Sequence, residues 1–152
     1  MLVTKDWIEL LELCSRYSRG LDTKDYELLR TCFPDEVRLS YGTGLEAVTR
    51  GHLTYSTPEQ FIESIRRIHG PLRTLHRNTN HHFDIDQDRA TGRVYIDQFQ
   101  VRLEEGTEPR TTQYVGWYDD AYVRTPTGWK FYERHSTTVW VTGGWLGEAA
   151  DA

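Results

Sequence analysis

Four long extended runs, joined by short turns, fill the second half of the chain and restrict the possible folds more than any other feature. The runs cover residues 73–86, 90–104, 110–124 and 129–141. The segments between them are rich in Asp, Gly, Thr and Pro, which favour turns. Short connectors of this kind join neighbouring antiparallel strands, so the pattern predicts a four-stranded antiparallel meander.

The first half of the chain has the periodicity of helices instead. Apolar residues recur at steps of three and four along residues 6–18, which predicts a helix with one buried face that ends near Gly20. We expect a second, short helix at 24–32 with Thr23 as its N-cap, and a third helix at 57–68.

A short strand and a loop are expected between the second and third helices. Residues 37–41 alternate apolar and polar side chains, as in a strand, and residues 42–56 contain three glycines. Helices followed by a sheet form an α+β arrangement in which the helices cover one sheet face, and strong curvature of that sheet leaves a cavity between the layers. The chain has no internal repeat, and residues 1–152 are expected to form a single domain.

Composition and charge argue against several functions. The net charge is −5 and no basic stripe is present, so we expect no nucleic-acid binding. The sequence lacks a run of about 18 apolar residues and an apolar leader, which predicts a cytoplasmic protein without a membrane span. Cys14 and Cys32 are expected to be free core thiols. Five Trp, nine Tyr and five Phe suit an aromatic core or an apolar pocket with a few hydrogen-bonding groups.

Three segments, in order and content, resemble a known superfamily. Residues 17–26 read YSRGLDTKDY, residues 72–80 read LRTLHRNTN, and residues 128–131 read GWKF. Together they resemble the nuclear transport factor 2-like superfamily, in the branch of SnoaL-like proteins, scytalone dehydratase, bile acid 7α-dehydratase and hexachlorocyclohexane dehydrochlorinase. The resemblance covers nearly the whole chain. It implies a cone-shaped, curved, mixed or antiparallel sheet wrapped on about three N-terminal helices, with a central pocket.

The resemblance also implies a catalytic pair. In these families a His at the pocket mouth removes a proton and an Asp orients it, and the matching residues here are Asp22 and His76. Tyr17, Tyr41 and Asp97 are implied as substrate-binding residues. Such chemistry needs neither metal nor cofactor, because a neutral imidazole with the ordinary pKa of about 6.5 can remove an acidified C–H proton at neutral pH.

Three further residues are expected to face the pocket, namely Asn78, Tyr118 and His135. Asn78 lies two residues after His76 on a strand, and His135 follows the phase of Trp129, with Arg134 as the alternative. Two departures argue against scytalone as the substrate. Gln100 stands where the scytalone enzyme has a second pocket His, and Gly116 and Tyr118 replace its Ser and Asn.

Structural interpretations of the same residues stay open. Asp22 can be a helix cap and His76 a hydrogen-bonded sheet histidine, while Asp97 has the phase of its aromatic neighbours and faces either the pocket or solvent. His76, Asn78, Asn80 and His82 fall on one face of an ideal strand, but His76 and His82 are then some 20 Å apart, too far for one metal.

The sequence therefore predicts a cofactor-independent lyase of the dehydratase type that acts on a small, mostly apolar cyclic substrate. The alternatives are a non-catalytic small-ligand-binding or assembly subunit and an isomerase like ketosteroid isomerase. Aromatic residues on both faces of the expected sheet, such as Trp117 and Tyr118, predict a homo-oligomer, either a dimer or a trimer.

Overall fold

The computed structural model describes residues 2–42, 52–144 and 146. Three helices and six strands lie among these residues. The helices are α1 (Leu2–Thr23), α2 (Tyr26–Arg30) and α3 (Pro58–His69), and the strands are β1 (Arg38–Gly42), β2 (His52–Tyr55), β3 (Arg73–Asp86), β4 (Arg89–Arg102), β5 (Arg110–Thr125) and β6 (Gly128–Thr142). None of these helices is long and apolar enough to cross a membrane.

The six strands form one mixed sheet in the order β2-β1-β6-β5-β4-β3. The predicted meander is confirmed, since β3, β4, β5 and β6 pair antiparallel in sequence order. Strand β1 then pairs parallel to β6, and β2 pairs antiparallel to β1. Strand β2 falls within the expected loop 42–56, of which residues 43–51 lie outside the described part. The chain has the α+β cone fold, with an open sheet.

The helices cover one face of the sheet, called the inner face here. Helix α1 packs mainly on β3, and α3 is fixed at its start by Thr57, whose hydroxyl accepts a hydrogen bond from the Gln60 amide. Between the layers lies an aromatic cluster whose rings stack or meet edge to face. Its members include Tyr17, Phe33, Tyr41, Phe61, Tyr118 and Phe131.

Helix α1 is longer than the sequence predicted. Gly20 does not end it, and the helix continues to Thr23. A Cβ atom at Gly20 would lie 3.0 Å from the Cβ of Leu29, so this glycine lets α1 and α2 pack closely. The N-cap of α2 is Asp25 rather than Thr23, because the Asp25 carboxylate accepts a hydrogen bond of 2.9 Å from the Leu28 amide.

Of the three register shifts among the described strands, two change which of the predicted site residues face inward. In β3 the pairing register with β4 shifts between Thr79 and His82, where Asn80 has a φ of 48°. The extra residue reverses the alternation, so Asn78 and Phe83 face inward while His82 faces outward. The expectation that His76, Asn78, Asn80 and His82 share a face is therefore wrong.

The second bulge lies in β6. Phe131 pairs with Tyr122 and Glu133 pairs with Ala121, so Tyr132 is the extra residue. Alternation beyond it is shifted by one position. Arg134 is consequently buried, with 2% of its surface exposed, and His135 lies on the outer face.

Candidate active site

Asp22 in the last turn of α1 and His76 near the start of β3 form a largely buried hydrogen-bonded pair. The Asp22 Oδ1 atom lies 2.6 Å from Nδ1 of His76. Oδ2 of the same carboxylate accepts the His76 backbone N–H at 2.9 Å, and the Thr74 hydroxyl donates to Oδ1 at 3.0 Å. The His76 side chain is 2% exposed and that of Asp22 is 17% exposed.

The carboxylate determines what the His76 ring can do. A carboxylate on Nδ1 holds the proton there, so Nε2 carries the free lone pair and is the basic nitrogen. When Nε2 takes up a proton, the same carboxylate stabilises the resulting imidazolium. The expected pairing of Asp22 with His76 is thus present in the structure, while its role in a reaction stays a prediction.

Lys24 extends this network toward solvent. Its Nζ atom donates to the Thr74 hydroxyl at 3.2 Å, and Thr74 in turn donates to Asp22. Burial lowers the pKa of Lys24, and the Asp22 carboxylate opposes that shift. The left-handed backbone of Lys24, with a φ of 60°, ends α1 directly after the residues that hold Asp22 against β3.

A second, half-buried histidine, His69, lies beside His76. The rings of His69 and His76 are 6.3 Å apart between centroids, and Nε2 of His69 is 3.3 Å from Nε2 of Gln100. Burial lowers the pKa of His69 to about 3, with a further contribution from His76. The sequence analysis missed His69, although it follows Phe61 and Ile65 at steps of four on the apolar face of α3.

A cavity of about 80 Å³ lies between α3, the β1–β2 hairpin and the inner face of the sheet. Tyr41 and Tyr118, both predicted as pocket residues, line it, and so do His69 and Gln100. Most of the remaining lining is apolar or aromatic, comprising among others Tyr55, Phe61, Ile65, Ile68 and Ile96. His76 is not among the described lining residues. Its ring lies next to that of His69, which does line the cavity.

Tyr17 and Asn78 lie on the inner side but contact other protein groups. The hydroxyls of Tyr17 and Tyr41 are 2.9 Å apart. The Asn78 amide nitrogen donates to the Ser18 hydroxyl at 2.8 Å and to the Cys14 carbonyl at 3.2 Å. Asn78 therefore ties β3 to α1, on the same strand face as His76.

A buried ion pair on the inner face was not predicted from the sequence. Arg134 donates two hydrogen bonds of 2.7 Å to Asp120, and its guanidinium stacks on the rings of Tyr17 and Tyr118. Burial opposes the charge of Arg134, yet Asp120 keeps the pKa of the guanidinium above its usual value. Asp120 follows Tyr118 in the inward phase of β5, which is the signal that could have identified it.

Asp97 and His135 are not brought to this site. Asp97 pairs across strands with Arg77, whereas His76 pairs with Gln98, so Asp97 lies on the outer face. There it forms an ion pair with Arg77, with 2.8 Å between Oδ2 and Nη2, and accepts a hydrogen bond from Gln113 at 2.6 Å. His135 also faces outward because of the bulge at Tyr132. Neither Asp97 nor His135 lines the pocket, so both expectations are wrong.

A larger depression, of about 1160 Å³, lies on the outer face. It is open, and many of its lining residues carry polar side chains, such as Arg38, Asn80, Arg93, Asp119 and His135. The sheet separates it from Asp22 and His76. The smaller cavity is the better candidate for a substrate site, because it is less open, its lining is mainly apolar, and it lies next to His69 and His76.

The described residues contain no group of three or more His, Cys, Asp or Glu placed to hold a metal ion. Cys14 and Cys32 are buried free thiols. Burial raises the pKa of Cys14 to about 12 and that of Cys32 to about 11, so both are poor nucleophiles.

Comparison with solved structures supports the fold. Kfla4162 from Kribbella flavida superposes with a TM-score of 0.81 at 28% identity, covering 92% of this chain and 95% of that one. A candidate scytalone dehydratase from Novosphingobium aromaticivorans gives 0.76 at 20% identity, covering 98% and 99%. Hexachlorocyclohexane dehydrochlorinase LinA-type3 from Novosphingobium barchaimii gives 0.72 at 18% identity, covering 99% and 97%.

No curated protein sequence matches the chain significantly. The sequence profile of the SnoaL-like domain, however, matches residues 4–135. This range holds both members of the Asp22–His76 pair and most of the sheet. The chain therefore belongs to the SnoaL-like domain family, within the nuclear transport factor 2-like superfamily.

Proposed function

We propose that the protein is a cofactor-independent lyase of the dehydratase type, with His76 as the base and Asp22 as its orienting carboxylate. The observation that carries this proposal is the buried hydrogen bond of 2.6 Å between His76 Nδ1 and Asp22. The same carboxylate also accepts the His76 backbone N–H at 2.9 Å, so two hydrogen bonds hold His76 against Asp22. The pair is thereby fixed in the geometry that a general base requires.

The reaction follows from the basic nitrogen. Nε2 of His76 takes a proton from a carbon next to a carbonyl, the electron pair of that C–H bond forms the new C=C bond, and the bond to a β-hydroxyl breaks. The imidazolium returns its proton to the departing hydroxyl, so water leaves and the base is regenerated. Asp22 stabilises the imidazolium between these steps. Exclusion of water strengthens that interaction.

The cavity suggests a compact, mostly apolar substrate. Its aromatic and aliphatic lining favours a ring, and its few polar groups favour one or two oxygen substituents. A volume of about 80 Å³ is below the range of roughly 300–1,000 Å³ of typical ligand pockets. Binding of a cyclic substrate therefore requires the cavity to widen.

The small cavity also favours a second candidate function, a non-catalytic ligand-binding or assembly subunit. A filled interior is what such a protein would have, and Asn78 and Arg134 are already engaged by protein groups. An isomerase would use the same base but return the proton to another carbon of the substrate. The products separate these possibilities, since only the lyase releases water, whereas an isomerase gives a product with the mass of its substrate.

A screen of hydroxylated cyclic ketones, followed by ultraviolet absorbance of the conjugated product, tests the proposal. His76→Ala is expected to lose turnover by a factor on the order of 10²–10⁴, the usual contribution of a general base. It should leave ligand affinity nearly unchanged, because a base acts on the barrier rather than on ground-state binding. His82→Ala, on the outer face of the same strand, is the matched control and should retain full activity. Equal conversion by wild type and His76→Ala refutes the assigned role.

A further inference from the structure

Gln98 is a nine-tenths buried polar side chain without a hydrogen-bond partner among the described residues. It lies on β4, is 9% exposed and lines the cavity between α3 and the sheet. The oxygen and the nitrogen of its carboxamide both keep accessible surface. Buried polar groups in folded proteins are nearly always hydrogen-bonded to protein, water or a ligand. The cavity is therefore the space from which this amide takes its partner.

The neighbours of Gln98 across the sheet show where its amide points. Its register partners are His76 on β3 and Tyr114 on β5, and all three side chains are buried on the inner face. Directly paired residues have Cβ atoms about 4.5–5.5 Å apart, so an amide turned along the sheet would be within reach of one of them. Neither is hydrogen-bonded to it. The amide is instead directed into the cavity that Gln98 lines.

The position beside His76 determines which ligand group suits this amide. The oxygen of a ketone is two bonds away from the carbon whose hydrogen it acidifies, so a base and a carbonyl-binding group must be close neighbours. Paired residues on adjacent strands meet that condition. An amide N–H donates to a carbonyl oxygen, and a donor at this oxygen stabilises the negative charge that builds there when the proton leaves.

We propose that Gln98 binds the carbonyl oxygen of the substrate through its amide N–H, next to the carbon from which His76 removes the proton. This assignment rests on the proposed function, since removal of that proton is what requires a carbonyl beside His76. The apolar lining on the same side of the cavity, including Ile65 and Ile96, contacts the ring that carries the carbonyl. Gln98 thereby selects ketones and fixes which carbon faces the base.

Cyclohexanone and methylenecyclohexane are suitable probes, because they have nearly the same shape and differ in C=O against C=CH₂. Gln98→Leu should lower the affinity for cyclohexanone about fivefold, the loss of one net hydrogen bond, without lowering the affinity for methylenecyclohexane. Each probe is compared between the two proteins, so the different hydration of the two probes cancels. Gln113→Leu removes an amide that donates to Asp97 on the outer face, and this control should change neither affinity.

Exchange of the α-hydrogens of cyclohexanone in D₂O tests the link to the base. His76 takes an α-proton, the C–H electron pair forms the enolate, and a deuteron from solvent returns to the same carbon, so no leaving group is required. Gln98→Leu should reduce the exchange rate at saturating ketone by a factor on the order of 10²–10³, the usual effect of removing one oxyanion donor. His76→Ala should abolish exchange but keep the affinity for cyclohexanone. No exchange in wild type, with ketone affinity still lost in Gln98→Leu, overturns His76 as the base and supports the carbonyl contact of Gln98.

A measurement on the wild-type protein makes the test independent of whether the variants fold. With ¹⁵N-labelled glutamine, cyclohexanone should shift the side-chain amide resonance of Gln98, and methylenecyclohexane at equal occupancy should shift it much less. The proposal is overturned if neither probe binds at millimolar concentration, or if Gln98→Leu keeps the wild-type affinity for cyclohexanone. It is also overturned if the amide resonance responds equally to both probes, as expected when only water contacts the amide.

Discussion

At the scale of single residues, the inner site consists of polar side chains whose orientations are set by hydrogen bonds to one another. The Asp22 carboxylate accepts three hydrogen bonds, two from His76 and one from Thr74. An ionised carboxylate only accepts hydrogen bonds, so three donors converging on it form a consistent arrangement. A replacement that introduces a hydrogen-bond donor at position 22 would place two donors against each other, even when the shape of the side chain is preserved.

Asp22→Asn is expected to be severe for this reason. Its amide nitrogen must face either the His76 backbone N–H or the ring Nδ1, and in the second case the ring is held in the wrong tautomer. We expect turnover to fall by a factor on the order of 10³–10⁴, as found when an orienting carboxylate is replaced by an amide. The exposed pair of His82 and Asp84 provides the control, since Asp84→Asn should not change turnover. Wild-type turnover in Asp22→Asn would contradict the orienting role.

The depressed pKa of His69 has a measurable effect on stability. The folded protein keeps His69 neutral down to a pKa of about 3, whereas an unfolded chain protonates it near pH ~6.5. Between these values the unfolded state binds one more proton, so stability falls as pH falls, by at most about 1.4 kcal/mol per pH unit from this group. Replacing His69 by Gln should remove that contribution.

Urea unfolding at pH 7 and pH 5.5 gives the free energy of unfolding at each pH. The change in that free energy between the two pH values is then compared between variants. His69→Gln should lose less stability on acidification than wild type, and His82→Gln, an exposed histidine, should behave like wild type. Identical pH dependence in wild type and His69→Gln would show that His69 takes up its proton at the same pH in the folded and unfolded states.

At the scale of elements, local patterns predicted the strands but not which way their side chains point. The meander strands begin and end within two residues of the expected positions, because alternation and turn chemistry are local properties. The bulges at Asn80 and Tyr132 are set by pairing with neighbouring strands. One extra residue reverses every side chain beyond it, which is why His135 was expected to face inward and Arg134 was left as the alternative.

In the candidate site, too, features set by local sequence could be predicted, whereas those set by tertiary packing could not. The pairing of Asp22 with His76 followed from a resemblance to known families and not from periodicity, since the two residues are 54 positions apart and share no local signal. The partner of His69 could not be predicted, because Gln100 reaches it only through the packing of α3 on the sheet. Asp97 was placed on the correct strand, but the register with β3 decides its face.

Gly20→Ala tests the helix packing that the sequence did not reveal. In an exposed helix interior this change stabilises a protein by up to about 1 kcal/mol. Here the new Cβ meets Leu29 at 3.0 Å, and the backbone atoms of Leu29 lie within 3.1 Å, so α2 must move. We expect a net loss of about 1–2 kcal/mol, measured by chemical unfolding. Ser15→Ala, on the exposed face of α1, is the control and should be neutral or slightly stabilising, and a stabilised Gly20→Ala would show that α1 and α2 separate freely.

At the scale of the whole molecule, the two faces of the sheet differ in what they leave exposed. The inner face is covered by helices, but the outer face carries large apolar side chains on four adjacent strands. We call the set Leu75, Tyr95, Phe99, Trp117 and Trp140 the outer apolar patch. Register pairs connect them, since Leu75 lies opposite Phe99 and Tyr95 lies opposite Trp117. Leu75, Tyr95 and Trp140 are exposed by 51%, 40% and 59%.

A sheet face that meets water needs no such side chains, so we expect the outer apolar patch to be covered by another copy of the chain in a dimer or trimer.

Trp140→Lys places a charge at the most exposed position of the patch and should shift the assembly toward monomers without reducing the stability of each subunit. Ile8→Lys removes an equally exposed apolar side chain from α1, at 61% exposure, and should leave the assembly intact. Light scattering at micromolar concentration measures the mass of each variant. A monomeric wild type, or dissociation by Ile8→Lys but not by Trp140→Lys, would place the interface elsewhere or exclude it. Because the outer apolar patch and the inner cavity lie on opposite sides of the sheet, dissociation should leave the inner site unchanged.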